Sequence, residues 1–380
     1  MKHTIVHLSD THLGYSELDR VSPEGVNQRE RDFYGSFEEI VNQIIERRPA
    51  AVVHTGDFFH RPSPANRPLI EGLRQLKRLS DEKIPVVVIA GNHSTPCTLY
   101  TSPILTAFQS VDGVYPIFRQ KYETVEAGDF VFHGLPHIAD ERLYAEELEK
   151  VAPVEGRINV LMLHTSLGRD YIMEEYGERV FPSDKTAVIN EFQYTALGHW
   201  HNFQQVGKKY PRAWYSGSTE RLSDREAGSE KGYCVVRFDN PKEVKVDFQP
   251  VPVRPWRRYD IKDCAAMDAA EIIASLETSG ASAGHDGALV SVYLHDLRNE
   301  QAPELANSRV ARCFPGALSV AVKRGFKAGR WSGAGAFTDG GQSMEELFGA
   351  YLKERAGSEA EYSEMAAKAA EYFNRYETGE

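Results

Sequence analysis

The sequence predicts an α/β layer fold followed by a smaller second unit, and two observations carry that reading. Over the first 200 residues, apolar runs of strand length alternate with longer amphipathic stretches. Between Pro250 and Arg258 the composition then breaks, with Pro250, Pro252 and Pro255 interrupting regular structure beside Trp256 and Arg254, Arg257 and Arg258.

The elements follow in order. Ile5–Leu8 reads as a buried strand. Phe33, Phe37, Ile40, Val41, Ile44 and Ile45 fall at helical spacing, and Ala51–His54 is the next strand. A second helix spans about Pro64 to Leu79, with Leu69, Leu73, Leu76 and Leu79 on one face. Further strands are expected at Val86–Ile89, Phe130–His133, Val160–Leu163 and Tyr194–Leu197. Beyond the proline-rich break the pattern is βαβαβ. Its strands lie near Arg258–Ile261, Leu289–Leu294 and Leu318–Val322, and its helices near Ala269–Leu276 and Pro303–Cys313. The expected organisation is residues 1–255, 256–328, a linker at 329–341 that holds five glycines, and amphipathic helices over 342–380. The stripe Met344, Leu347, Phe348, Tyr351, Leu352 resumes at Tyr362, Met365, Ala369, Phe373 and Tyr376. It serves either to fold back on the body or to dock into a partner's groove.

The bulk properties exclude little. The net charge of −11 is uneven, with ten acids and four bases in 339–380. The charge therefore neither excludes nor favours a polyanionic substrate. No run of about 18 apolar residues is present, so no membrane helix is expected. The first residues enter a strand-like pattern without an apolar leader segment, and no signal peptide is expected. Cys97, Cys234, Cys264 and Cys313 lack metal-finger spacing and fit a reducing cytoplasm.

Five short clusters carry the chemistry, and each follows an expected strand. They are Asp10-Thr11-His12, Gly56-Asp57, Gly91-Asn92-His93, His164 and Gly198-His199-Trp200-His201. Loops beyond the carboxyl ends of strands converge on one crevice in such sheets. Carboxylates with neutral imidazoles suit Mn²⁺, Fe²⁺ or Zn²⁺, and the lack of thiolates argues against structural zinc. One aspartate can bridge two ions roughly 3.5–4 Å apart. Glycines at 56, 91 and 198 permit tight turns and close backbone approach. Each motif alone is ordinary surface polarity or a turn; five in order, each after a strand, are not. His3, His7 and His54 lie on strand-like segments and read as core or rim residues, and His133 and His137 match no ligand motif. The Arg254/Arg257/Arg258 and Lys323/Arg324/Lys327/Arg330 groups either grip phosphates or form a solvated basic face.

This ordered set resembles the calcineurin-like metallophosphoesterases, and within them the DNA-repair nucleases of SbcD and meiotic-recombination-eleven type. Gly56-Asp57-Phe58-Phe59-His60 matches that branch's GD-x-x-H segment. The resemblance implies a two-sheet β-sandwich flanked by helices, a small α+β capping domain and C-terminal helices. It implies that Asp10, His12 and His201 hold one ion, that Asp57 bridges, and that Asn92, His164 and His199 hold the other. His93 is implied to serve the leaving oxygen. His60 is implied to lie near the substrate strand, or alternatively to fix a ligand. The implied cofactors are two divalent ions, Mn²⁺ first, with Fe²⁺ or Zn²⁺ as alternatives. The implied partners are DNA, an SMC-like coiled-coil ATPase on the C-terminal helices, and a second copy of the chain met through Pro64–Leu79 and Ser102–Phe108. Where the family often has an acid after Gly-Asn-His, this chain has Ser94, which weakens the support for His93. Two rival functions stay open: a phosphoesterase of monoesters, cyclic nucleotides or nucleotide pyrophosphates, and a scaffold with vestigial catalysis.

Overall fold

A computed structural model describes residues 3–326 except 19, 23–24, 96–101, 174–177, 241–242 and 282–283, and farther on residues 352–353, 358, 362–363 and 365–368. The chain divides into two compact units, Met1–Lys327 and Ala328–Glu380. The first begins with β1 (Thr4–Leu8), α1 (Gln28–Arg47), β2 (Ala51–His54), α2 (Asn66–Asp81), β3 (Val86–Ile89) and β4 (Val114–Ile117). Next come β5 (Glu123–Ala127), β6 (Phe130–Leu135), α3 (Glu141–Leu148), β7 (Ile158–His164), β8 (Tyr194–Gly198), β9 (Gln204–Gln205), β10 (Ala213–Tyr215), β11 (Gly232–Asn240) and β12 (Glu243–Pro250). The unit closes with β13 (Trp256–Ile261), α4 (Ala269–Ala281), β14 (Leu289–Leu297), α5 (Asn307–Ala311) and β15 (Ser319–Phe326).

The first twelve strands form two six-stranded sheets, ordered β12-β11-β1-β2-β3-β4 and β5-β6-β7-β8-β10-β9. Their centres are parallel, from β1 to β4 and from β6 through β7 and β8 to β10. Parallel strands are buried on both faces and so read as continuous apolar runs. Ile5, Val53, Val87 and Ile89 of the first sheet meet Phe132, Val160, Met162 and Ala196 of the second in a shared core. Alternate residues Val6, Leu8, Val52 and Val88 point the other way, onto Phe37, Ile40, Val41, Leu76 and Leu79 of α1 and α2. The architecture is the two-sheet sandwich flanked by helices that the family resemblance implies.

The helix ends have local causes. The Asn27 side chain accepts from the backbone N–H of Arg29 at 2.8 Å and of Glu30 at 3.3 Å, so α1 starts well before the apolar stripe does. It ends at Arg48, which is left-handed at φ 47° and is followed by Pro49. The six strands not expected from the sequence are β4, β5 and β9 to β12. They are edge strands or lie close to an edge. Pro116 within β4 and the exposed acids of β5 hide the strand pattern, and both are tolerated because each strand pairs on one side only. The three strands of the last sheet, in parallel order β13-β14-β15, pack against α4 and α5 around Ile272, Leu276, Val290, Val292, Leu294 and Phe314.

Of the tail, residues 352–353, 362–363 and 365–368 are helical, including Leu352, Tyr362 and Met365. The glycine linker 329–341 and Met344, Leu347, Phe348, Tyr351, Ala369, Phe373 and Tyr376 lie outside the described residues, as do Cys97, Lys327 and Arg330. No helix among the described residues is long and apolar enough to cross a membrane.

His7 is fully buried between strands, with Nδ1 2.8 Å from the Tyr194 hydroxyl and Nε2 3.1 Å from Thr55 Oγ1. Burial, with His54 nearby, lowers its pKa to about 3. The unfolded chain takes up a proton near pH 6.5 that the fold refuses, so this histidine's contribution is complete above pH 6.5 and is lost as pH falls toward 3. Scanning calorimetry of metal-free protein is expected to show a Tm that falls between pH 6.5 and 5, and a shallower fall in His7→Gln. Parallel slopes in the two proteins would refute this assignment.

Candidate metal centre

The ends of β1, β2, β3, β7 and β8 meet at one edge of the sandwich. The segments after β1 and β2 stay paired beyond the sheet: Asp10 N–H donates to Gly56 O at 3.1 Å, His12 N–H to Asp57 O at 3.0 Å and His60 N–H to Leu13 O at 3.1 Å. This pairing sets Asp10, His12, Asp57 and His60 side by side. Asn92 and His93 open a single 3₁₀ turn after β3, where His93 N–H donates to Asp57 Oδ1 at 3.0 Å. From the second sheet, His199 N–H donates to both carboxylate oxygens of Asp10, at 3.2 and 3.1 Å.

The backbone is strained where these residues sit. Asp10, His12, Asp57 and His199 have φ of 51°, 41°, 49° and 94°, a region that costs energy for residues with a Cβ and that clusters at functional sites. The glycines act through space. A Cβ on Gly91 would lie 2.2 Å from Asp57 Oδ1, and one on Gly198 would lie 2.1 Å from Thr55 O and 2.9 Å from His164 Nδ1.

The candidate ligand atoms gather in three overlapping groups, each with all its atoms within 4.8 Å: Asp10, His12 and His201; Asp10, Asp57 and His164; and His12, His60 and His93. Asn92 joins the second group, with Oδ1 2.9 Å from His164 Nε2. His199 belongs to none of the three. Its Nε2 is taken by Glu178 at 2.8 Å, which leaves Nδ1 as the atom it could offer an ion, and its ring lies 5.5 Å from that of His164. All nine residues singled out in the sequence therefore lie in one cluster; six of them, Asp10, His12, Asp57, His164, His199 and His201, are buried, and His60, Asn92 and His93 are half-buried at its rim.

The electrostatics fit a pair of dications. Asp57 Oδ2 is buried and accepts no hydrogen bond, although His164 Nε2 lies 3.1 Å away and Asn92 Oδ1 meets that same nitrogen. Burial opposes ionisation of Asp57, but the imidazoles of His164, His93 and His12 hold its carboxyl well below the usual range. Asp10 is pushed up by burial. His164 is penalised by burial, yet Asp57 and Asp10 raise it to about 9, so without an ion a proton lies among these acceptors. Carboxylate, amide oxygen and imidazole nitrogen together match a borderline divalent ion. His12, shared by the first and third groups, differs in kind: burial and His93 push it well below its ordinary value, which favours the neutral lone-pair donor.

Sequence reading missed the groups behind the ligands. The Thr55 carbonyl accepts from His164 Nδ1 at 2.8 Å, Glu178 holds His199, and Glu226 Oε1 lies 3.1 Å from His201 Nδ1. Such partners fix the tautomer and orientation of a ligating histidine. No motif marks either glutamate among the 55 acids of the chain. His93 Nδ1 donates to the His60 carbonyl at 2.8 Å, and its ring stacks on that of His60 at 5.4 Å. A backbone carbonyl thus orients His93, while Ser94 is buried with its hydroxyl unpartnered. His7, His54, His133 and His137 are buried and hydrogen-bonded away from the cluster's ligand groups, whereas His3 is exposed and bonds to Asp129. Arg254 is no solvated base: it grips Asp32 through two bonds, at 2.5 and 2.6 Å.

Sandwich and cluster together define a phosphoesterase of the calcineurin-like class. The model of the calcineurin-like phosphoesterase family matches residues 3–203, and the chain belongs to that family. It is 33% identical over 204 residues to the DNA double-strand break repair protein Mre11 of Sulfolobus acidocaldarius, covering 52% of this chain and 49% of that one. It is 32% identical over 263 residues to the protein of the same name from Sulfurisphaera tokodaii, covering 65% and 63%. A third, from Thermoplasma acidophilum, is 28% identical over 277 residues and covers 67% of each chain. The chain thus spans about half to two thirds of the length of these relatives.

Gly91→Ala tests the close approach at this centre. The added methyl has to displace the Asp57 carboxylate, so Mn²⁺ binding measured by isothermal titration is expected to weaken by about tenfold or more, with the circular dichroism spectrum unchanged. Unaltered Mn²⁺ affinity in that variant would contradict the geometry.

Proposed function

We propose that this chain is a two-metal nuclease that hydrolyses phosphodiesters of DNA in double-strand break repair, with Mn²⁺ as its metal. The observation that carries the reading is the buried Asp57 oxygen without a hydrogen bond, set among Asn92, His164 and Asp10 with His93 and His60 close by. The similarity to proteins named for DNA double-strand break repair supports DNA as the substrate. Asp10, His12 and His201 would hold one ion, Asn92, His164 and His199 the other, and Asp57 would serve both. Two such ions lower the pKa of water and offset charge on phosphate oxygens. His93, oriented by the His60 carbonyl, supplies a proton to the departing sugar oxygen. His60 borders the strand being cut.

The proposal extends to the rest of the chain. Residues 256–328 act as a capping domain against DNA. The C-terminal helices hold an SMC-like coiled-coil ATPase, and the protein works in the cytoplasm on the chromosome. A second copy of the chain docks on α2 and the 3₁₀ segment Ile104–Ser110. Ile70 on α2 is 65% exposed and shares a groove with Val26 and Tyr34, which supports that surface.

Cleavage of end-labelled linear and hairpin DNA in Mn²⁺, set beside hydrolysis of para-nitrophenyl phosphate, tests the substrate class. Asp57→Asn is expected to abolish DNA cleavage. His93→Leu is expected to keep both ions and lose about 10²–10⁴-fold in turnover. Pure Asp57→Asn protein that still cuts DNA would sink the reading, and monoester turnover without DNA turnover in the wild type would replace it. For the oligomer, sedimentation equilibrium is expected to give a dimer that Ile70→Asp converts to monomer; an unchanged mass in the variant would remove α2 from the interface.

A further inference from the structure

Lys231 immediately precedes β11 of the first sheet, and its side chain is fully buried. A buried ammonium is tolerated only when its hydrogens find acceptors. Here Nζ donates to the His201 carbonyl at 2.7 Å, to Ser218 Oγ at 3.0 Å and to Glu226 Oε2 at 2.5 Å. The other oxygen of Glu226 meets His201 Nδ1 at 3.1 Å. The contacts therefore close a ring: from the His201 imidazole to Glu226, on to Lys231, and back to the main-chain carbonyl of His201. The ring grips one residue at both its ends and leaves Nε2 facing His12 Nε2 at 3.3 Å.

Stability alone does not account for this pair. An apolar side chain of similar volume in place of a buried ion pair is often neutral or stabilising. The position also matters. β11 belongs to one sheet and the His201 loop follows β8 of the other, so the ring ties the two sheets together where their ends share the metal centre. Ser218 N–H reinforces it by donating to the same His201 carbonyl at 3.0 Å.

We propose that Lys231, acting through Glu226, is a positioning residue for His201 and sets how tightly the ion held by Asp10, His12 and His201 is bound. The inference rests on the reading of His201 as a ligand. Neither Lys231 nor Glu226 touches the substrate or the ion; together they hold the imidazole and its backbone in register.

Isothermal titration of the metal-free full chain with MnCl₂ tests it, with thermal melts monitoring the fold. Wild type is expected to bind in two steps. Lys231→Met is expected to weaken one step by about 10- to 100-fold and to leave the other in place. Glu226→Gln, which keeps the shape of the side chain, serves if Lys231→Met does not fold, and it is expected to weaken the same step. The double variant is expected to be no worse than the weaker single one, because the two residues act through one ring. Two wild-type steps in both single variants, while His201→Ala loses an ion, would overturn the inference and leave the ligand reading intact. His201→Ala that keeps both ions at wild-type affinity would instead overturn the ligand reading on which the inference stands. Equal weakening of both steps would mark a general loosening of the fold and would also overturn it.

Discussion

The structure turns on two aspartates buried among imidazoles at the mouth of a β-sandwich. Asp10 and Asp57 lie in one buried cluster, and one oxygen of Asp57 meets only the His164 imidazole among the described residues, at 3.1 Å. Such an arrangement is costly unless positive charge is supplied. In the bare protein the two carboxylates raise the pKa of His164 against the penalty of its burial, which favours a positive imidazole beside them. A pair of divalent cations meets the same demand with stronger bonds to the same lone pairs. The surrounding architecture bears the cost of burying this cluster.

Two devices bear it. Parallel strand centres aim the loops after β1, β2, β3, β7 and β8 at one edge, and bonds such as His12 N–H to Asp57 O carry the pairing past the strand ends. Partners behind the candidate ligands then fix each ring. Thr55 O orients His164, Glu178 orients His199, and Glu226 with Lys231 orients His201. The left-handed backbone at Asp10, His12, Asp57 and His199 is strain that these contacts hold in place.

The fold's central strands and the cluster's residues were legible in the sequence because each leaves a local mark. A parallel strand buried on both faces is a run of Val and Ile, and a ligand after it sits at a glycine-marked turn. Gly91 beside Asn92 and Gly198 beside His199 are such cases, and the added-Cβ distances give the steric reason for both glycines. What left no local mark was missed. β11 and β12 complete the first sheet from far along the chain; β12 is half-exposed, and the buried run of β11 is short and broken by Arg237 and Asp239. Glu226 and Lys231 meet His201 only through tertiary structure, so neither spacing nor composition could single them out. Ser94 shows the reverse: the missing acid was visible in sequence, while its substitute, the His60 carbonyl on His93, appears only in three dimensions.

The central claim is that this cluster is a dinuclear site. Anomalous diffraction from crystals grown with Mn²⁺ tests it most directly. The account predicts two peaks roughly 3.5–4 Å apart, with Asp57 between them. One of them contacts Asp10, His12 and His201, and the other Asn92, His164 and His199. A single peak, or density at neither position with the cluster otherwise unchanged, would contradict it.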